Sequence, residues 1–132
     1  MAQGRSGVKR VVLVVEDEAL LRLDAVQLVE DCGLSAEAVS SADEALALLE
    51  RRNDIGIVFT DVQMPGSMNG VKLAEVISKR WPAIHIIVAS GNLAAYESQL
   101  PPSVARYEKP YNHAHACETL HRCLGHRPKS RH

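Results

Sequence analysis

Two kinds of apolar pattern alternate along the chain. Short β-branched runs such as 10–15 (RVVLVV) have almost no polar alternation, which is typical of strands covered on both faces. Between these runs, apolar residues recur with helical spacing, as in 17–33, where Gly33 predicts the end of the helix. Ser41 and Glu44 have the spacing of a capping box at the start of a second helix. The pattern predicts five strands and five helices; the other strands are 34–39, 55–60, 83–90 and 105–109, and the other helices are 41–52, 70–80, 92–100 and 112–124.

The regular alternation of strands and helices predicts the fold class. Such a chain forms right-handed crossovers, a parallel sheet and helices on both faces of that sheet. With 132 residues, 46% of them apolar, the chain is long enough to bury one core. We expect a single domain over 9–125, flanked by a flexible N-terminus, 1–8, and a mobile basic tail, 126–132.

Charge and composition exclude several classes of function. The 15 Lys and Arg residues against 16 Asp and Glu residues leave a formal net charge of -1, so no general attraction to nucleic acid or to an anionic membrane is expected. No apolar run approaches the roughly 20 residues that span a bilayer, and no signal peptide is evident, so we expect a cytoplasmic protein. The cysteines, Cys32, Cys117 and Cys123, include no CxxC pair. This argues against a disulfide framework and a zinc site, and favours reduced packing residues.

Polar residues stand where the predicted strands end. Strand one runs into Glu16 and Asp17, and strand three into Asp61. Strand four ends in Ser90 and strand five in Lys109. In an open parallel sheet, ligands bind beyond the carboxyl ends of the strands, where the strand order reverses. All these ends converge only if strands one and three are neighbours, so we predict a flavodoxin-like (βα)5 doubly wound sheet with the order 2-1-3-4-5.

The chemistry of this cluster indicates phosphoryl transfer. Closely packed carboxylates repel one another unless a cation joins them, and oxygen ligands that leave room for water and phosphate suit Mg²⁺. Asp61, exposed at a strand end beside such a metal and Lys109, is the predicted nucleophile. The metal and the lysine would spread the charge on the phosphoryl oxygens. Ser90 would then donate its hydroxyl to the new group and move with it.

Four short motifs carry a resemblance to a known family. The stretches VVEDE, FTDVQMPG, VASG and YEKPY resemble the receiver domain of two-component response regulators, from about residue 11 to residue 124. Their order, at the ends of strands one, three, four and five, makes the combination specific. The resemblance implies phosphorylation by a sensor histidine kinase or a phosphotransfer protein. It implies no enzyme activity beyond self-catalysed phosphoryl transfer and autodephosphorylation.

The resemblance also implies a role for each residue of the cluster. Lys109 resembles the lysine that pairs with the aspartate and then with the phosphoryl group, and the peptide Lys109–Pro110 resembles one that is usually cis. The other implied roles are Asp61 as phosphoacceptor and metal ligand, Asp17 as direct metal ligand, Glu16 as the acid that acts through a metal-bound water, the Gln63 backbone carbonyl as metal ligand, and Ser90 as switch hydroxyl.

The chain departs from the family pattern near this site. The loop between Asp61 and Gly70 is one residue longer than the commonest receiver spacing. Three positions before Lys109 lies Arg106, where the family has its switch aromatic, and Tyr107 is only two positions before the lysine. Because strand side chains alternate faces, either the strand register shifts so that Tyr107 turns inward, or the usual aromatic switch is missing.

The sequence also suggests partners. No second apolar pattern follows the last predicted helix, so we expect a stand-alone receiver whose output passes to a protein partner. The details MPGSMNG and KPY resemble single-domain regulators paired with HWE-like histidine kinases. We expect the kinase to dock near the first helix, with apolar contacts from Leu20, Leu21 and Met64. The face formed by the fourth helix, fifth strand and fifth helix is expected to bind a partner or to mediate reversible dimerisation.

Other interpretations stay open. Taken singly, the acids after strand one are also good partners for a helix dipole, Asp61 is also a common turn residue, and Lys109 is also an ordinary surface charge. A phosphatase of the haloacid-dehalogenase type forms an aspartyl phosphate too, but it has a DxD pattern, and this chain has Gln63 two residues after Asp61. A dinucleotide-binding module lacks its G-x-G-x-x-G after strand one. A receiver-fold adaptor that is never phosphorylated would bind its partner equally well after Asp61→Asn.

Overall fold

A computed structural model describes residues 10–64 and 68–125 of the chain. The predicted flexible ends, 1–8 and 126–132, and the predicted domain start at residue 9 lie outside the described residues. In the described part, no helix is long and apolar enough to cross a bilayer. The strands are β1 (Val11–Val15), β2 (Ser35–Val39), β3 (Ile55–Asp61), β4 (His85–Ser90) and β5 (Ala105–Glu108), and the α-helices are α1 (Ala19–Asp31), α2 (Ala42–Arg51), α3 (Gly70–Arg80) and α4 (His113–Cys123).

The strands form one parallel sheet in the order β2-β1-β3-β4-β5, which confirms the predicted flavodoxin-like topology. In the register of the sheet, Val15 lies opposite Thr60, and Asp61 lies opposite Ala89. The carboxyl ends of β1, β3 and β4 therefore reach the same edge. The strand order reverses between β1 and β3, which is where an open parallel sheet leaves a crevice for a ligand.

Apolar layers cover both faces of the sheet. One layer holds α2 and α3, and the other holds α1 and α4. β1 contributes to both layers, Leu13 and Val15 to the first and Val12 and Val14 to the second, and all four side chains are buried. This two-sided burial is the reason that the β1 sequence shows no polar alternation. The edge strand β2 has no fully buried residue, so its sequence pattern is weaker.

Local sequence signals explain where the helices begin and end. The Ser41 hydroxyl oxygen accepts the Glu44 backbone N–H at 3.1 Å, so Ser41 caps α2 as predicted. The Glu44 carboxylate reaches the N–H of Ser40 instead of that of Ser41, which shifts the second half of the capping box by one residue. This hydrogen bond from Ser40 lowers the pKa of Glu44 below its ordinary value. Gly33 has a φ of 83°, the left-handed conformation that ends α1.

The predicted helix 92–100 is wrong. The segment instead forms two short 3₁₀ turns, Leu93–Ala95 and Glu97–Gln99. Within 92–100 only Leu100 is fully buried and Leu93 and Tyr96 are partly buried, so the segment buries too little apolar surface to hold a helix against the sheet. Short helices are marginal without such packing, and the prolines that follow Leu100 prevent any extension.

The prediction of three reduced cysteines is also wrong. Cys32 and Cys117 form a disulfide, and Cys123 is free. The two bonded residues are 85 positions apart in the sequence, so no local spacing revealed the pair. They meet because Cys32 ends α1 and Cys117 lies on α4, and these two helices cover the same face of the sheet.

Candidate functional site

Four of the predicted site residues converge at the carboxyl edge of the sheet. Asp61 is the last residue of β3, and Ser90 is the last residue of β4. Glu16 follows β1 directly, and Lys109 follows β5. The parallel register β1-β3-β4-β5 places these four positions at one edge because neighbouring strands end at the same level.

Asp61 has a hydrogen-bond donor at each carboxylate oxygen. The Lys109 ammonium donates to Oδ2 over 3.1 Å, and the Gln63 backbone N–H donates to Oδ1 over 3.3 Å. The Asp61 side chain is 13% exposed, so one part of the carboxylate still faces the solvent. The carboxylate is thus held in a fixed orientation while a small group can approach it.

Glu16 provides a second carboxylate, more deeply buried than Asp61. Its residue exposure is 6%, and its Oε2 accepts the Glu18 backbone N–H at 3.0 Å. The Lys109 Nζ lies 3.8 Å from Glu16 Oε1, so the lysine faces both carboxylates. Burial, with the nearby charge of Asp61 adding to it, raises the pKa of Glu16 from 4.5 to about 7. One lysine therefore does not balance the two acids, and the site favours an additional cation.

Glu16 makes the stability of the metal-free protein depend on pH. Between its ordinary pKa of 4.5 and its folded pKa of about 7, the folded chain binds more protons than the unfolded chain. Stability therefore falls as the pH rises through this window. We expect Glu16 to lower the free energy of unfolding at about pH 8 relative to about pH 5, and Glu16→Gln to remove this contribution. Urea titrations in EDTA measure both proteins, and an unchanged pH difference in Glu16→Gln would contradict the assignment.

The oxygen atoms at the site are of the kind that Mg²⁺ binds. The carboxylates of Glu16 and Asp61 are hard ligands, and Mg²⁺ commonly takes one or two carboxylates together with water and phosphate; the backbone carbonyl of Gln63 stays a predicted ligand. Burial is the main cause of the raised pKa of Glu16, and the charge of Asp61 adds to it, so a cation bound between the two carboxylates would lower that pKa. In the described part of the chain, no three or more His, Cys, Asp or Glu side chains are already arranged around a metal position. The two carboxylates beside the crevice therefore suit a metal that also binds water and phosphate.

Asp17 is placed differently from the other predicted ligands. Its side chain is exposed and forms no hydrogen bond or ion pair within residues 10–64 and 68–125. Its backbone carbonyl accepts the Arg22 guanidinium at 3.4 Å. The structure therefore does not bring the Asp17 carboxylate to Asp61, and its role as a direct metal ligand stays a prediction.

Ser90 is fully buried at the end of β4, one residue after Ala89, which lies opposite Asp61 in the sheet. Its hydroxyl oxygen accepts the Asn92 backbone N–H at 3.0 Å, and its carbonyl accepts the Lys109 backbone N–H at 2.9 Å. The second bond ties the residue after β5 to the end of β4. The Lys109–Pro110 peptide is cis, which confirms that prediction.

A comparison with known protein families identifies the family to which this chain belongs. A family model described as "Response regulator receiver domain" matches residues 12–99. This chain belongs to the response regulator receiver family. The matched residues include Glu16, Asp61 and Ser90, and Lys109 lies beyond the match.

Individual relatives agree with this family. The receiver is 42% identical over 80 residues to the hydrogenase transcriptional regulatory protein HoxA of Cupriavidus necator, covering 61% of this chain and 16% of that protein. It is 30% identical over 105 residues to a putative response regulator, NtrX-like, of Rickettsia bellii, covering 76% of this chain and 22% of that protein. The chain thus covers less than two thirds of the length of either relative. A crystal structure of a response regulator receiver protein from Sinorhizobium medicae has a TM-score of 0.80 and 27% identity, covering 89% of this chain and 95% of that chain.

Tyr107 faces the α1 and α4 layer of this receiver. β5 pairs with β4 without a shift of register, and Tyr107 lies opposite Ala89. Its hydroxyl forms a hydrogen bond with Thr119 of α4, and its ring contacts His115 edge to face at 5.5 Å between centroids. Tyr107 therefore does not turn toward the Ser90 face, and its role as a switch residue stays a prediction.

Arg106 occupies the opposite face of β5. Its guanidinium pairs with the Glu97 carboxylate at 2.8 Å and donates to the Pro101 carbonyl at 2.7 Å. Arg106 thus fastens the 3₁₀ segment to the sheet at the position where the family has its aromatic residue. This register supports the second alternative raised by the sequence, in which the usual aromatic switch is missing.

The sequence did not reveal a cavity of about 440 Å³ beside the carboxylates. It extends from Glu16, Asp61 and Lys109 under α1, where Asp24 and Tyr111 line it. Burial, with the charge of Asp24 adding to it, raises the pKa of Tyr111, so its phenol stays protonated. The only sequence signal was the KPY motif, which placed Tyr111 close to Lys109 but did not indicate an open space.

Proposed function

We propose that this receiver accepts a phosphoryl group on Asp61 from the phosphohistidine of a sensor histidine kinase or of a phosphotransfer protein. The observation that carries the proposal is the pair formed by Asp61 and Lys109, whose charged atoms are 3.1 Å apart at the crevice of the sheet. The buried carboxylate of Glu16 next to this pair supports it. Membership of the receiver family makes phosphorylation the expected chemistry.

The residues of the site suit an in-line transfer. An oxygen of the Asp61 carboxylate attacks phosphorus, the O–P bond forms, and the N–P bond to the donor imidazole breaks. The Lys109 ammonium is close enough to follow the charge onto the phosphoryl oxygens. Bound Mg²⁺, held by Glu16, Asp61 and the Gln63 carbonyl, would neutralise part of the same charge. Asp17 joins these ligands only if its exposed side chain turns inward.

Ser90 is proposed to detect the new group. Its hydroxyl oxygen accepts the Asn92 N–H, which leaves the hydroxyl proton available as a donor. A phosphoryl oxygen on Asp61 is a strong acceptor for that proton. A movement of Ser90 toward it would pull on Asn92 and on the 3₁₀ segment that follows, and so change the surface formed by this segment, β5 and α4. That surface is the proposed site for a downstream protein or for reversible dimerisation.

Exposed leucines on α1 support a kinase-docking surface beside the site. Leu20 is 77% exposed and Leu23 is 65% exposed, and Leu21 is also exposed. Three large apolar side chains exposed on one helix are unusual for a free surface and are typical of a protein interface. Leu20 and Leu21 are predicted kinase contacts, and the exposed Leu23 extends the same surface. Met64, the third predicted contact, is only partly exposed. A histidine kinase, of the HWE-like kind suggested by the sequence, is the proposed partner.

The direct test of this function is incubation of the purified chain with acetyl phosphate, with Mg²⁺ or with EDTA, followed by intact mass spectrometry. We expect one phosphoryl adduct that requires Mg²⁺, because a bound cation would offset the repulsion between the Asp61 and Glu16 carboxylates and the incoming phosphoryl oxygens. A folded protein that gains no adduct with Mg²⁺ would contradict the proposal. Such a result would support the adaptor that is never phosphorylated.

Lys109→Ala is expected to separate phosphorylation from the surface change. Removing the ammonium takes away a charge 3.1 Å from Asp61, so labelling should slow on the order of 10- to 100-fold. The adduct that still forms should shift β5 less than in the wild type, because the contact of the ammonium with the phosphoryl group is lost while Ser90 can still respond. Amide NMR spectra before and after acetyl phosphate measure the shift.

Lys79→Ala is the matched control for Lys109→Ala. Lys79 lies on α3 in an exposed ion pair with Glu75. Its variant should label at the wild-type rate and show the wild-type spectral changes. Full spectral changes in labelled Lys109→Ala would show that Lys109 does not transmit the signal.

A further inference from the structure

We propose that Cys32 and Cys117 form a reversible redox site that ties the end of α1 to α4. The phosphoryl-transfer site uses neither residue. Cys32 is the residue at which α1 ends, and Cys117 lies in the second turn of α4. Their Cα atoms are 5.7 Å apart, the usual separation for a disulfide, and the structure joins the two sulfurs.

Other contacts hold the two cysteines together independently of the bond. His121 lies one helical turn after Cys117, and its Nε2 is 2.8 Å from the Cys32 carbonyl oxygen. Leu28 of α1 and Leu120 of α4 belong to the same buried apolar cluster. The helices therefore keep their arrangement when the bond is broken, and the thiols stay in position to form it again.

The arrangement also selects which cysteines pair. Cys32 and Cys117 are only partly buried, so a small thiol or disulfide can reach them. Cys123 is on the same helix as Cys117 but is not bonded. Burial raises the pKa of the Cys123 thiol, so less of it is the reactive thiolate. Cys123 is therefore the internal reference for a test of the pair.

The chemistry is thiol–disulfide exchange with a low-molecular-weight disulfide of the glutathione type. One protein thiolate attacks that disulfide, which forms a mixed disulfide and releases one small thiolate. The second protein thiolate attacks the protein sulfur of the mixed disulfide and releases the other small thiol. The two protein sulfurs lose two electrons, the small disulfide gains them, and its two thiols carry away the two protons. An excess of the reduced small thiol reverses both steps.

The bond would restrain a helix that contacts β5. α4 carries Thr119 and His115, which hold the hydroxyl and the ring of Tyr107. A covalent link from Cys117 to α1 fixes this helix at one additional point. The link also closes a long loop, with 85 positions between its ends, which restricts the unfolded chain. We therefore expect the oxidised form to be the more stable one and α4 to exchange its amide protons more slowly in it.

The test equilibrates the full chain in glutathione buffers of graded ratio, blocks free thiols with N-ethylmaleimide and measures the intact mass. The chain has three cysteines, so the reduced form should gain three labels. The oxidised form should gain one label, located on Cys123 by peptide mapping. The melting temperature should rise by roughly 5 °C or more on oxidation. Hydrogen exchange on the same samples measures the protection of α4.

Three variants complete the design. Cys32→Ser and Cys117→Ser should form no disulfide within the chain, so the cysteine left without its partner either takes a label or keeps one small-thiol adduct in oxidising buffers. Neither variant should show a rise in melting temperature on oxidation. Cys123→Ser is the matched control and should keep the full rise. Pairing with Cys123, or three labels on the wild type in every buffer, would overturn the proposal. A bond that excess reduced glutathione leaves intact would overturn its reversibility. The wild-type label count decides the question even if a serine variant fails to fold.

Discussion

Asp61→Asn is expected to take up no phosphoryl group from acetyl phosphate under conditions that label the wild type fully. The amide has nearly the size of the carboxylate but is a far weaker nucleophile and carries no charge for Mg²⁺. It also loses the ionic contact that Lys109 Nζ makes at 3.1 Å. A loss on the order of 100-fold or more in labelling rate is expected, read from the intact mass over time.

The fold of Asp61→Asn should be preserved, so that the loss reports chemistry. Residue 61 lies at the end of a strand, and the backbone pairing of β3 with β4 does not depend on its side chain. Asp31→Asn is the matched control, because Asp31 is exposed at the last turn of α1, away from the carboxyl edge of the sheet. It should label as the wild type does. Equal labelling of Asp61→Asn and the wild type would move the acceptor to another residue and end the site assignment.

A binding assay separates the phosphorylation model from the adaptor model. A partner that depends on phosphorylation should bind wild-type receiver more tightly after acetyl phosphate treatment, and Asp61→Asn should show no such gain. An adaptor would bind both proteins equally, with and without acetyl phosphate. The exposed leucines of α1 provide a surface for either kind of partner, so labelling and binding have to be measured separately.

The sheet and its carboxyl edge were predictable because both follow from short-range rules. Central strands buried on two faces leave long β-branched runs, and parallel crossovers bring their ends to one side. Glu16, Asp61, Ser90 and Lys109 therefore met as expected. The cis peptide bond between Lys109 and Pro110 was predictable because these two residues resemble a peptide of the receiver family that is usually cis.

The errors arose where distant parts of the chain decide the structure. Cys32 and Cys117 pair across 85 positions, and only the shared face of α1 and α4 brings them together. The segment 92–100 has residues that suit a helix, but it buries too little apolar surface against the rest of the protein to stabilise one. Tyr107 faces α4 because the register of β5 places it opposite Ala89, and residue spacing alone left two registers open.

Gly70→Ala is expected to impair phosphorylation although residue 70 takes no part in the chemistry, because the added methyl group would displace the backbone of Asp61. A Cβ at residue 70 would collide with the Asp61 carbonyl oxygen and lie 2.8 Å from the Val62 Cα. The Gly70 N–H also donates to the Val62 carbonyl at 2.8 Å, so α3 starts tightly against the end of β3. Both obstacles are backbone atoms and not flexible side chains, so α3 or the end of β3 must move.

The cost should appear in stability and in phosphorylation together. Overpacking of this kind costs about 1–3 kcal/mol, more than the roughly 1 kcal/mol that alanine gains over glycine within a helix. Urea titration should therefore show a lower free energy of unfolding for Gly70→Ala. Labelling by acetyl phosphate should also slow, because the shift changes the distance from Asp61 to Lys109.

Gly91→Ala is the matched control, since the same atom is added one residue after Ser90. A Cβ at residue 91 would meet no atom within 4 Å, and the residue is exposed. Its stability should stay within about 0.5 kcal/mol of the wild type, with normal labelling. If Gly70→Ala behaves in the same way, the close approach of α3 to β3 does not hold Asp61 in place. If only Gly70→Ala loses labelling, the position of the Asp61 carboxylate depends on a residue that takes no part in the chemistry.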